Sequence, residues 1–574
     1  MNKTNSRTTR VALLLTAVVF SLMSASVYKI IALKISPPEQ LVAATIPVSS
    51  TSRQLAVRGR LLDRQGRILA ASRIGFKLFV DPSIVEDIES LSFKLSEIIA
   101  TSPAEIEQQV RAKPNSRYVV LQQLLTANQV DAVKKLDVRG VGLKERLVRE
   151  YPHGDVGGAL IGLVGTEHTG LAGFENKYNN NLTGESGKFV RARDTKSKTI
   201  WISPDDFKPK SDGDDVQLSI DVVIQNIATT RLRQEVKRCN AGGGRVIVAN
   251  PATGEVLAMV DILNPREGWS QQPEDVNRKI DPRLGRNRCV TDPYEPGSTF
   301  KPFIWAVATQ LDKAQINEVL PTPSSGPYRT SFGRSIRDAH YYGPSTWEKV
   351  LIKSMNSGMA IVSQRMSHEQ LQDAIRRFGF GEQTHVGFGG ETKGIMTSPS
   401  QWNNYTQTSV SMGHEIAVTP LQMVQGFCAF ARDGTVPQLQ LKLATNDDVM
   451  FVRKAITPEI AALTRQIMGK VMTEGTGRKS NSKQYKLFGK SGTAQLPRAD
   501  GKGYFEDRYI SSFIAGAPID NPKLIVLCVI DDPDKTIGHY GGTVAGPVVR
   551  DVMEQSLLYL NVPPSVDYLA NVSD

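Results

Sequence analysis

The sequence predicts an α/β (α+β) protein with one N-terminal membrane helix, an extended α+β domain, and a C-terminal domain whose antiparallel sheet is flanked by helices. Three observations predict it. An uncharged run, "VALLLTAVVFSLMSASVY", spans Val11–Tyr28. Two β-hairpin signals lie far apart, "AGGGRVIVANPATGEVLAMVD" from Ala241 and "YISSFIAGAPIDNPKLIVLCVIDDP" from Tyr509. Between them, residues 298–475 carry mostly helical patterns. A sheet assembled from both ends of a domain, with helices inserted between, is an α/β or α+β arrangement.

Residues 1–10 carry Lys3, Arg7 and Arg10, and the first acid in the chain is Glu39. Eighteen helical residues span roughly 27 Å, close to the hydrocarbon thickness of a bilayer. A cleaved signal peptide ending near "SAS" is the alternative, but the apolar run is long for one. The expected layout is a cytoplasmic tail at 1–10 and an anchor at 11–33, with the body outside because positive charges precede the span. Residues 84–150 read as helical segments ("SIVEDIESLSFKLSEIIA", "PAEIEQQVRA", "TANQVDAVKKL") between short strands. Glycines and turn residues crowd 151–220, as in an extended, loop-rich β region. The three glycines at 242–244 could suggest a phosphate loop, yet strand, turn and strand follow them, which is a hairpin. The remaining boundaries are 34–215 for the first domain, 216–560 for the second and 561–574 for a C-terminal tail.

At 574 residues the chain has room for about three or four typical domains. The net charge of +11 suits an anionic surface. No basic run with interleaved aromatics and no zinc-finger spacing supports nucleic acid as a partner. Cys239, Cys289, Cys428 and Cys528 are far apart and form no C-x-x-C, so a disulfide scaffold or structural zinc site is disfavoured, while one or two bridges stay open. The seven histidines are scattered and there is no H-E-x-x-H. No metal and no cofactor are expected; His153, His340 and His539 read as structural.

Three short stretches carry chemistry: "EPGSTFKPF" (295–303), "KSMNSGM" (353–359) and "FGKSGTAQ" (488–495). Each alone is weak, because a serine near a lysine is more often a helix cap beside a surface charge. Together, in this order, they describe one site. A serine hydroxyl must lose its proton to a base within reach. Positions i and i+3 share a helix face, which sets Lys301 one turn below Ser298 at the helix start. A buried lysine near a second cation is neutral near pH 7, and Lys490 can be that cation. Ser354 would pass the proton to the leaving amine, and Asn356 would hold a substrate amide. "YKLFGKSGTAQ" reads as an edge strand on which Gly492 lets a substrate backbone pair closely. The backbone N–H groups of Ser298 and Thr493 are the natural oxyanion donors. Lys490 with the hydroxyls of Ser491 and Thr493 can receive a carboxylate.

This trio is similar to the S-x-x-K, S-D-N, K-T-G set of class A β-lactamases and penicillin-binding proteins, with S-M-N and K-S-G as departures that keep the chemically used groups. The chain resembles a class B penicillin-binding protein over nearly everything beyond the anchor. "RGRLLDRQGRILA" (58–70) is similar to the opening of that family's non-catalytic domain. "YPHGDVGGALIGLVG", "GLAGFENKYNNNLTGESG" and "LSIDVVIQ" resemble later landmarks, and "VTPLQMVQGFCAFARDGT" a helix of its transpeptidase domain. "NRCVTDPYEPGSTFKPF" looks most like the division-specific, FtsI-type branch, with the elongation-specific branch the close rival. His414 in "SMGHEIAVTP" departs from the pattern at a variable position.

The resemblance implies a single-pass protein of the bacterial cytoplasmic membrane with a pedestal (dimerisation-like) domain under a transpeptidase domain. Its donor substrate would be the D-Ala-D-Ala end of peptidoglycan stem peptides, its inhibitors β-lactams. Its partners would be a SEDS-type glycosyltransferase and other divisome membrane proteins. A D,D-carboxypeptidase would use water instead, and a dead scaffold would not keep the trio. A β-lactam sensor would need more than ten cytoplasmic residues. A class A β-lactamase would need a glutamate in E-x-x-L-N. Here Leu-Asn occurs at 263–264 and 560–561, preceded three residues earlier by Val260 and Leu557. Glu391 and Glu415 are the acids that could replace that glutamate.

Overall fold

The computed structural model describes residues 4–38, 48–193, 199–202, 207–264, 284–443, 452–498 and 503–565. The expected tail at 561–574 therefore lies outside the described residues from 566 onward. Two compact units are present, Met1–Ala56 with Gly184–Asp212, and Val57–Thr183 with Gly213–Asp574, so residues 34–215 contribute to both.

The first unit holds the N-terminal helix, Thr4–Ile35, and a three-stranded sheet of Val48–Gln54, Gly187–Arg193 and Thr199–Ile202. Its stretch Arg7–Ile35 is long and apolar enough to cross a membrane, and its apolar side chains are exposed. Two hydroxyls inside it bond back to their own helix, Thr16 to Ala12 O (2.9 Å) and Ser26 to Leu22 O (2.8 Å). Those bonds satisfy polar groups where water would be absent.

In the second unit, the long strand Ile68–Val80 pairs with Val141–Glu150 and Val119–Gln122. The helices Ile88–Ile99, Pro103–Arg111 and Ala127–Leu136 begin at the caps Asp87, Ser102 and Thr126 and bury Leu91, Leu95, Ile106, Val110 and Val130 in one core with Leu78 and Val80. These are the three helical segments expected from periodicity. The stretch 151–183 is a correction: it contains the short helices Gly158–Ile161, Gly173–Lys177 and Asn179–Leu182 rather than extended β structure. Helices of four or five residues are too short to show a 3.6-residue repeat.

"RGRLLDRQGR" earns its place here. Arg58 donates to both Glu175 Oε2 and Glu175 O (2.7 Å each), and Arg149 donates to Glu175 Oε1 (2.7 Å). Glu175 is wholly buried between the two guanidiniums. Asp63 accepts from the backbone of Gln65, Arg67 and Val222 and from Arg67 Nε. Burial alone would raise its pKa; the Arg67 guanidinium and these N–H groups hold it below the usual carboxylate range.

The catalytic sheet runs in the spatial order Val256–Leu263, Gly243–Ala249, Leu524–Asp531, Tyr504–Ala517, Phe488–Pro497, all antiparallel. Both hairpins expected from sequence form, and the K-S-G strand is the edge. Along "LIVLCVID", Leu524, Val526, Cys528 and Ile530 enter one core while Ile525, Leu527 and Val529 enter the other. An unbroken apolar strand is thus one buried on both faces. One face is covered by the helices Val222–Arg238 and Gly546–Tyr559, the other by Lys301–Gln310, Pro420–Ala431 and Pro458–Thr473. All four cysteines are buried and free, so the bridges left open by sequence are not made.

Candidate active site

The turn that carries Ser298 is a 3₁₀ turn, Gly297–Phe300, that passes into the helix Lys301–Gln310. Ser298 therefore precedes the α-helix rather than opening it. A 3₁₀ turn has three residues per turn, so residue i+3 lies directly beneath residue i. Gly297 has φ +53°, a left-handed value that favours glycine, and its N–H donates to Gly413 O (3.0 Å). Thr299 Oγ1 donates to Pro296 O (2.7 Å), and Phe300 and Phe303 anchor the turn in an aromatic cluster with Phe378 and Phe380. Ser298 is left half-buried at the surface of this rigid base.

Ser354 ends the helix Trp347–Lys353 with φ +59°, unusual for a residue bearing a side chain, and Asn356 opens the helix Asn356–Ser363. Met355 between them is buried and pins the break to the core. The stacked pair Trp305 and Trp347, with Trp305 Nε1 donating to Trp347 O (3.0 Å), ties this segment to the helix Lys301–Gln310.

Both lysines are completely buried, at 0 % exposure. Lys301 Nζ donates to Ser354 O (2.7 Å), Asn356 Oδ1 (2.7 Å) and Ser354 Oγ (3.3 Å). Lys490 Nζ donates to Ser354 Oγ (2.8 Å) and Ser491 O (3.1 Å). The Ser354 hydroxyl thus bridges the two ammonium groups. Lys301 is brought to about 7 by burial, against the opposing pull of Asp338. Lys490 lies well below its ordinary value, by burial and then by the charge of Lys301. Of the two causes expected, burial and a second cation, burial is the one that lowers Lys301, while the charge between the lysines acts on Lys490. The hydrogen bonds of Lys301 go to the S-M-N segment and not to Ser298. Three donated bonds describe the charged ammonium. On losing a proton Lys301 gains a lone pair, and the weakest contact, to Ser354 Oγ, is the one most easily given up.

Gly492 is also tightly packed on its Cβ side. A Cβ there would lie 2.6 Å from Pro296 O, 2.7 Å from Ser512 Oγ and 2.9 Å from Thr299 Cγ2. Its missing side chain makes room for the turn that carries Ser298 against the strand. Gly492→Ala is accordingly expected to push Ser298 away from Thr493 and slow β-lactam acylation by about 10²-fold, the scale of a misplacement near 1 Å. Stopped-flow acylation kinetics, with a melting curve to show an intact fold, check this. Thr493 Oγ1 accepts from Gly541 N (3.1 Å), which leaves its hydroxyl hydrogen free to donate, and Ser491 Oγ donates to Thr476 Oγ1 (2.8 Å). Asn356 Nδ2 donates to Arg337 O (2.8 Å), and its second N–H remains for a substrate amide.

Sequence reasoning missed two acids. Asp338 accepts from the backbone N–H of Asn356 and Ser357 and from Ser357 Oγ. It lies eighteen residues before Asn356, with no spacing signal to reveal it. Glu295 accepts from Glu415 N (3.1 Å) and Tyr504 OH (2.8 Å) and pairs with His414 Nδ1 (3.0 Å). An acid directly before Pro296-Gly297-Ser298 was the available signal. Of the two acids weighed as a water-activating base, Glu391 accepts from Thr384 Oγ1 (2.5 Å) and Glu415 from Ser409 Oγ (2.6 Å).

Fold and site together define a serine acyltransferase of the penicillin-recognising kind. Residues 244–554 match the family model "Penicillin binding protein transpeptidase domain", and residues 53–218 match "Penicillin-binding Protein dimerisation domain". The chain belongs to the class B penicillin-binding proteins. Among its relatives, "Peptidoglycan D,D-transpeptidase FtsI" of Escherichia coli K12 is 30 % identical over 543 residues, covering 93 % of this chain and 89 % of that one. "Stage V sporulation protein D" of Bacillus subtilis is 31 % identical over 521 residues, 88 % of this chain and 79 % of its own. The solved structure of penicillin-binding protein 3 of Mycobacterium tuberculosis, complexed with aztreonam, shares the fold. It has a TM-score of 0.66 at 23 % identity and covers 90 % of this chain and 98 % of that one.

Proposed function

We propose that this protein is a peptidoglycan D,D-transpeptidase of the division septum, anchored in the cytoplasmic membrane by residues 11–33 with its N-terminus inside. The observation that carries the chemistry is that buried Lys301, three residues after Ser298, shares the Ser354 hydroxyl with buried Lys490. Neutral Lys301 takes the Ser298 proton as Oγ attacks the penultimate D-Ala carbonyl of a stem peptide. The N–H groups of Ser298 and Thr493 receive the oxyanion. The C–N bond breaks, and the leaving D-Ala amine gains its proton through Ser354. An amine of a neighbouring stem then attacks the ester, loses a proton through the same relay, and returns Ser298 its hydrogen. Lys490, Ser491 and Thr493 hold the terminal carboxylate, and Asn356 the peptide amide. A SEDS-type glycosyltransferase and other divisome membrane proteins are its proposed partners. The septal assignment draws on the FtsI relative and on "NRCVTDPYEPGSTFKPF".

Two measurements test this reading. A fluorescent fusion is expected at midcell, whereas side-wall labelling would move the protein to the elongation role. Intact-mass spectrometry after one addition of benzylpenicillin is expected to show an acyl-enzyme lasting many minutes, because Glu295, Glu391 and Glu415 are all held by other partners. Free enzyme returning within seconds, with excess drug hydrolysed, would make the protein a hydrolase.

A further inference from the structure

Asp338 lies in the loop after the short strand Ser335–Ile336, on none of the three catalytic motifs, yet it is nearly fully buried against one of them. One oxygen, Oδ1, accepts from the N–H groups of both Asn356 and Ser357; the other, Oδ2, accepts from the Ser357 hydroxyl. It is a side-chain cap for the helix Asn356–Ser363, which has no cap from its own N-terminal neighbour Met355. The residue so held, Asn356, is the one whose Oδ1 receives Lys301 Nζ at 2.7 Å. The backbone carbonyl of the preceding Arg337 takes Asn356 Nδ2. Two consecutive residues of this loop therefore fix both the backbone and the amide plane of Asn356.

The charged groups around Lys301 are few. The edge strand presents Lys490, and the loop presents Asp338. The S-M-N segment presents Ser354 and Asn356, neither of which titrates near neutrality. Of the flanking bases, the Arg337 side chain is exposed and Lys353 donates to Glu474 O (2.6 Å). Among the described residues, Asp338 is the carboxylate that favours the charged form of Lys301. We propose that Asp338 is a positioning residue that holds Asn356 on Lys301 and supplies the counter-charge to that ammonium. This rests on Lys301 being the base of the proposed reaction. The carboxylate keeps Lys301 from being neutral at every pH, so that it can both accept the serine proton and return it.

The test is the pH profile of benzylpenicillin acylation by the full-length protein in detergent, for wild type and Asp338→Asn. Asparagine keeps an oxygen for the two N–H groups and removes the charge. Without the charge the protonated form of Lys301 is disfavoured further, so the acidic limb of the profile is expected to move to lower pH by about one unit. Asp338→Glu, which restores the charge, is expected to move the limb back toward wild type. Asp338→Ser, a neutral capping residue, serves in place of asparagine if that variant does not fold. A neutral variant with a lower plateau and an unmoved limb would overturn the inference, since a purely structural cap predicts that result. A wild type that is not acylated at any pH would overturn the proposed function along with it.

Discussion

Ser298→Ala is expected to abolish covalent labelling by fluorescent penicillin, leaving signal at background while the protein retains its fold. No neighbouring hydroxyl can take over. Ser354 Oγ is pinned between Lys301 and Lys490, and Ser491 Oγ is committed to Thr476. Ser298 is half-exposed on a turn with a lysine one turn below it in the chain. Ser298→Cys offers a finer comparison. A thiolate forms more readily than an alkoxide, so partial acylation by drug is expected, together with loss of peptide turnover. Labelling of Ser298→Ala at the wild-type level, read on a gel against wild type, would reassign the nucleophile.

How far the sequence could be read follows from what each feature depends on. The motifs were legible because they are local: Ser298 and Lys301 are one turn apart, and Lys490 to Thr493 form a single strand. The catalytic sheet was legible because its two hairpins announce themselves by turns between apolar runs. What escaped was tertiary. Asp338 reaches Asn356 across eighteen residues that include the whole helix Trp347–Lys353, and nothing in "SIRDAHYYG" shows which helix it will cap. The packing of Gly492 against Pro296 O was hidden too, since a glycine on an edge strand does not say which backbone lies over its missing side chain. The direction of the hydrogen bonds of Lys301 was equally hidden, since it depends on the left-handed break at Ser354.

Lys301→Arg is expected to lower the acylation rate by roughly 10²–10⁴-fold, the usual worth of a positioned acid/base group. At about 1.36 kcal/mol per decade this is roughly 2.7–5.4 kcal/mol of barrier. Arginine retains charge and donors but stays protonated at any workable pH, so it cannot receive the serine proton. Lysine at this position can, because burial brings it to about 7. The wild-type rate should therefore rise with pH through that region, where the neutral amine becomes the dominant form, and the arginine variant should show no such limb. Lys490→Arg makes the necessary contrast. It keeps a cation facing Ser354 Oγ and the carboxylate pocket, and it places a permanent charge beside Lys301. That charge disfavours protonated Lys301, so acylation should persist with its acidic limb moved to lower pH. The larger guanidinium must fit where the ammonium is wholly buried, so a moderate loss of plateau rate is expected as well. Stopped-flow acylation across pH 5 to 9 separates the two positions, as both variants keep a positive charge and differ only in where a neutral amine survives. If they acylate at equal rates, with the same limb, the base is not Lys301 and the relay through Ser354 has to be redrawn.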